Sequence, residues 1–211
     1  MNKRKFFTAV CFGLLTSCSW ANAETIVDYG FSVGTGRDGR TTTPQPASLV
    51  AGHVTAGKLT PVLMGAPSSD NTANGMGFEG TWGFLGPRKY PRGIDNIYFS
   101  FSLNIADGFQ ADFQALSFTY RAPKLDGEHS VYWDVRCSVD NFQQPLKVVS
   151  TKETGQGKPT PSGDISLESL KGVKGNIEFR IYIYEETEET VTGGQCRLGD
   201  IKVTGTVVPA A

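Results

Sequence analysis

The side chains best placed to do chemistry alternate along two short runs. Tyr132, Asp134 and Arg136 take every second position of one run, and Glu178, Arg180, Tyr182 and Tyr184 do so in another. Tyrosine rings can stack on the C–H faces of sugars, while Arg, Asp and Glu can hydrogen-bond their hydroxyls. Such a strip would bind glycan without any catalytic group, and extracellular polysaccharide is the expected partner. Asp134 and Glu178 also raise a second chemistry, because glycoside hydrolysis uses two carboxylates across a sugar. A cross-strand charge ladder on a solvated face accounts for the same residues with no chemistry at all.

Other constellations are weaker. Gly34-Thr35-Gly36-Arg37-Asp38-Gly39 has the glycine spacing of a dinucleotide loop. Pro44 and Pro46 follow it where a helix would have to start, so a loop is expected. His53 and His129 are the only histidines, and neither sits in a zinc-binding pattern. No S-x-x-K nucleophile motif is present. Asp28 and Asp200, near the two ends, are candidates for a structural calcium that would draw on carboxylates and carbonyls. No other cofactor is expected. Trp82, Phe84 and Tyr90 lie in a Gly/Pro-rich stretch and read as a cap on one end of the domain. The run Glu185-Glu186-Thr187-Glu188-Glu189 reads as a solvated hairpin loop.

The N-terminus reads as an export leader. Lys3, Arg4 and Lys5 precede an apolar stretch from Phe6 to Leu15, and Ala21-Asn22-Ala23 forms a small-residue cleavage site. Residues 1–23 are therefore the expected leader and 24–211 the mature domain. Leu15-Thr16-Ser17-Cys18 supports a competing reading, in which Cys18 is acylated and the protein becomes an outer-membrane lipoprotein. Nothing after the leader is long and apolar enough to span a bilayer as a helix. Removing Lys3, Arg4 and Lys5 from the 20 basic residues leaves 17 against 21 acidic ones, a formal charge of −4. That argues against nucleic-acid binding, which needs a basic face. Two cysteines remain after the cut, Cys137 and Cys196, and an exported chain leads one to expect a disulfide between them.

The elements that must carry these residues are strands. Period-two alternation recurs and no helix of ordinary length is predicted. Expected strands cover 25–32, 47–54, 58–64, 96–105, 112–121, 130–140, 145–150, 176–185 and 195–208. Phe99, Phe101, Trp133, Val139, Phe179 and Ile181 should point inward. The apolar phase slips between Leu198 and Ile201, which predicts a bulge at Gly199-Asp200. Stretches 67–77, 80–93 and 151–163 read as loops, and 166–170 as a single helical turn. One apolar and one polar face per strand calls for two antiparallel sheets packed face to face, an all-β sandwich of jelly-roll type.

Tyr29-Gly30-Phe31, Leu116 to Arg121, Val135 to Phe142, Ile177 to Tyr182 and Arg197 to Ile201 occur in an order that resembles the secreted jelly-roll proteins of Gram-negative bacteria associated with PEP-CTERM sorting. The resemblance implies the same fold and an exported location. It names no chemistry. Val208-Pro209-Ala210-Ala211 stands where the sorting tail of that family would begin, so sortase-like anchoring is not expected.

Overall fold

A computed structural model describes residues 23–30, 40–41, 43–63, 76–79, 82–85, 97–122, 130–150, 159–185 and 196–211. The described chain forms strands β1 (Glu24–Tyr29), β2 (Arg40–Thr41), β3 (Leu49–Val50), β4 (Val54–Ala56), β5 (Thr60–Leu63), β6 (Met76–Glu79), β7 (Trp82–Leu85) and β8 (Ile97–Ile105). It continues with β9 (Phe109–Arg121), β10 (Val131–Cys137), β11 (Lys147–Ser150), β12 (Thr160–Pro161), β13 (Ile165–Ser166), β14 (Gly175–Glu185) and β15 (Cys196–Pro209). A 3-10 turn at Ser138–Asp140 follows β10.

These strands make two antiparallel sheets. In the larger one β1 pairs with β15, β15 with β9, and β9 with β12 and β13. In the smaller one β8 pairs with β14, β14 with β10, and β10 with β11. Taking β12 and β13 together as one broken strand, the principal strands run first-last-third-sixth in one sheet and second-seventh-fourth-fifth in the other. That is the strand order of a jelly roll, two interlocked Greek keys, and it bears out the expected architecture. The chain between β1 and β8 extends the sheets. β3 lies beyond β1, β4 and β5 lie on β8, and the β6–β7 hairpin lies on β15.

The core sits between the sheets. Phe99, Phe101, Phe113, Phe118, Trp133 and Phe179 are fully buried. Rings from opposite sheets meet there: Tyr29 with Phe101 at 5.1 Å, Phe78 with Phe99 at 5.7 Å, Phe113 with Phe179 at 5.9 Å and Tyr120 with Trp133 at 4.7 Å. The Tyr29 hydroxyl donates to the Gly57 carbonyl, and burial pushes its ionisation well above the usual phenol range.

Several sequence expectations need correction. β6 and β7 fall in stretches read as loops; both are four-residue strands among glycines, and Gly83 lies so close to Phe99 that an added Cβ would stand 2.8 Å from the ring. Val139 is 62% exposed, because β10 ends at Cys137 and the 3-10 turn breaks the alternation. The bulge at Gly199-Asp200 is present: the β9–β15 register shifts between Gly199 and Lys202, and Asp200 takes a left-handed φ of 51°. No helical turn forms over 166–170: Ser166 ends β13, and a tight turn follows, closed by Leu170 N–H on the Leu167 carbonyl at 2.8 Å.

The expected disulfide is not made. Cys137 and Cys196 are both buried thiols in different sheets. Cys137 stands opposite Phe179, whose ring meets Phe113, and Phe113 stands opposite Gly205. Cys196 lies nine residues back along β15 from that level, about 30 Å at an ordinary strand rise. A disulfide needs Cα atoms within about 7 Å.

Candidate functional site

The two alternating runs lie on neighbouring strands, on the outer face of the smaller sheet. β10 and β14 pair antiparallel with Tyr132 opposite Tyr184, Asp134 opposite Tyr182 and Arg136 opposite Arg180. β8 adds Tyr98 beside Tyr182 and Ser102 beside Glu178. The Tyr132 and Tyr184 rings stack, 5.3 Å apart and 14° from parallel. Tyr98 and Tyr182 meet at 5.0 Å.

The charges on this face are matched within their own strands. Arg136 holds Asp134 with two nitrogens, Nε to Oδ1 and Nη2 to Oδ2, both at 3.0 Å. Arg180 Nε donates to Glu178 Oε1 at 2.7 Å. Residues two apart in a strand point the same way, so each pair closes without help from a neighbour. These hydrogen bonds raise the basicity of Arg136, mainly through Asp134; the Glu178 and Tyr182 bonds raise that of Arg180 against the opposing effect of burial.

The face is less open than the alternation suggests. Asp134 is 1% exposed and Tyr182 6%. The cover comes from the segment after β10. Asn141 and Phe142 both adopt positive φ, 58° and 60°, and turn the chain back over the sheet. Arg136 Nη1 then donates to the Phe142 and Gln143 carbonyls at 2.9 and 2.6 Å. The Phe142 ring lies 3.6 Å from the Arg180 guanidinium, which has Tyr98 on its other side at 4.5 Å. Phe142 belongs to the site, and its distance along the sequence from β14 hides this. What remains reachable is the half-buried Tyr132–Tyr184 pair and the Glu178–Arg180 pair, whose side chains are 30% and 25% exposed.

Asp134 and Glu178 do not stand directly opposite each other. Glu178 lies opposite Ser138, with its backbone N–H on Ser138 Oγ at 2.9 Å. Asp134 is four residues further along β10, about 13 Å at strand rise. Glycosidase carboxylates stand about 5 to 9.5 Å apart.

Asp28 and Asp200 line one open cleft of about 510 Å³ on the larger sheet, together with Asp164 and Lys202. Asp28 and Lys202 face each other across β1 and β15, and the ammonium stands 3.8 Å from Asp28 Oδ2. Among the described residues, no three His, Cys, Asp or Glu side chains gather closely enough to hold a metal. The bulge at Gly199-Asp200 is what swings Asp200 to the rim of this cleft.

His53 is exposed and stacks on Phe109 at 3.7 Å. Trp82 is half-buried in β7. Cys18 and the leader up to residue 22, the loop at 34–39, Tyr90, His129 and the acidic run 186–189 lie outside the described residues. No described helix is long and apolar enough to cross a membrane. Compared with known proteins, the chain matches no family model and no curated sequence.

Proposed function

We propose that this chain is an exported, non-catalytic jelly-roll module that holds a neutral extracellular polysaccharide on the outer face of its smaller sheet. The observation that carries the reading is the pairing of charge on that face. Asp134 with Arg136 and Glu178 with Arg180 leave no net charge, and the reachable remainder is aromatic and hydrogen-bonding. A neutral polyhydroxylated ligand suits such a surface, because it supplies C–H faces for Tyr132 and Tyr184 and hydroxyls for Glu178 and Arg180. An ionic ligand would have to break a pair already made.

The test is retention of the mature chain in native gels cast with neutral polysaccharides. Tyr184→Ala should lower affinity roughly ten-fold, the loss of about 1.4 kcal/mol of ring contact, with the thermal midpoint changed by only a few degrees. Equal retention of Tyr184→Ala and the parent chain would sink the proposal.

A second reading, a structural or adhesive surface module with no small ligand, draws on a different observation. Arg136 spends its third contact group on the Phe142 and Gln143 carbonyls, which makes the face part of the scaffold. On that reading the parent chain itself runs unretarded in every neutral polysaccharide gel.

A further inference from the structure

A second open cleft, about 190 Å³, lies on the larger sheet and is lined by Ala23, Asp112, Glu168, Lys171 and Thr206 among others. Ala23 is the last residue of the expected leader. β1 begins at the next residue, Glu24, which pairs with Gly205, itself a lining residue. The backbone nitrogen of Glu24 is bonded to the Ala23 carbonyl carbon, so strand pairing fixes that nitrogen at the edge of the cleft.

We infer that leader removal after Ala23 creates an ammonium on Glu24 that this cleft receives, with Asp112 and Glu168 as its carboxylate partners. The inference rests on the export reading. In the cut, water adds across the Ala23–Glu24 amide; the carboxylate leaves on Ala23 and the amine stays on Glu24, protonated at neutral pH. Asp112, Glu168 and Lys171 give the cleft a net charge of −1 before the cut, and the new ammonium brings it to zero. Asp112 is already positioned, since its Oδ1 accepts the Gly172 N–H at 2.7 Å. The segment bearing Glu168 and Lys171 is fastened to β9 on either side of Glu168, by Leu167 N–H on the Gln114 carbonyl at 2.8 Å and Phe113 N–H on the Leu170 carbonyl at 3.0 Å. Acylation at Cys18 would instead leave residues 19–23 attached and put no charge here.

An ammonium beside two carboxylates has a raised pKa in the folded chain. Its contribution is then fully present below the unfolded value, about 7.7–8.0, and is lost as pH rises through the folded one. The full chain, leader included, is produced in a secreting bacterial host, and the purified product is sequenced from its N-terminus. The α-amine is then titrated by its rate of acylation against pH, read by mass spectrometry. The expected product begins at Glu24, with an amine pKa about half a unit or more above the ordinary value. Glu168→Gln and Asp112→Asn, the latter keeping the oxygen that Gly172 uses, should each lower it. A product that begins at Glu24 with an ordinary amine pKa, or one that neither variant moves, overturns the docking and leaves export standing. A product that begins elsewhere after a cut overturns the docking alone, and one that keeps the whole leader overturns both.

Discussion

Asp134 shows how far a side chain's role depends on what folds over it. Alternation places it outward, and it does leave the core, yet it ends up 1% exposed beneath the chain that returns from Asn141. Period two is a local property and was legible; the cover is made by a loop whose path depends on two left-handed residues, and nothing in the alternation reports it. The same holds for Tyr182, packed between Tyr98 and the Arg180 guanidinium. The two ion pairs on this face should differ sharply in worth. Removing one partner of a buried pair strands the other charge, while a quarter-exposed pair is screened by water. Asp134→Ala should lower unfolding free energy by about 3 kcal/mol, and Glu178→Gln by less than about 1 kcal/mol. Urea denaturation of the two variants measures both, and equal losses would contradict the reading of Asp134–Arg136 as the buried pair of this face.

Among the elements, β15 carries the most. Over its length it pairs with β9 on one side, and with β7 and then β1 on the other. Its two irregularities have separate causes. The bulge at Gly199-Asp200 was legible because the apolar phase slips there. The shift between Thr204 and Gly205 was not, since there the partner strand β9 holds the extra residue, Gln114. β1 answers with its own shift between Thr25 and Val27, which is why Ile26 and Val27 are both buried although adjacent. Gly205 sits at this crowded point: an added Cβ would meet the Asp112 carbonyl oxygen at 2.3 Å and Ile26 Cδ1 at 2.8 Å. One of those neighbours is backbone and cannot swing aside. Gly205→Ala should therefore cost about 2 kcal/mol or more, whereas Gly52→Ala, with nothing within 4 Å of the added atom, should be nearly neutral. Thermal unfolding of the pair distinguishes crowding from a general effect of replacing glycine.

For the molecule as a whole, the two-sheet sandwich follows from strands that each have one apolar face, and those faces could be read in sequence, whereas the order of strands is set by which edges pair. The pairing of cysteines could not be read there, because it depends on how far one sheet is displaced along the other. Cys137 and Cys196 lie at levels about 20 to 30 Å apart along the sandwich, so the oxidising compartment expected of an exported chain has nothing to join within one molecule. Burial raises the pKa of the Cys137 thiol and lowers its reactivity further. Alkylation in denaturant without reductant should add two groups to the mature chain, and the native protein should take them up far more slowly. One or no group in denaturant would mean the thiols are engaged after all.

The antiparallel pairing of β1 with β15 sets an order of events in time. Ile26, Val27 and Tyr29 are made within the first thirty residues, and the strand that covers their edge is among the last made. Until residues 201 to 205 are made, the first strand has β3 on one edge but nothing on the other, and the larger sheet cannot close around its middle. The larger sheet is therefore completed only when the last strand of the chain is in place.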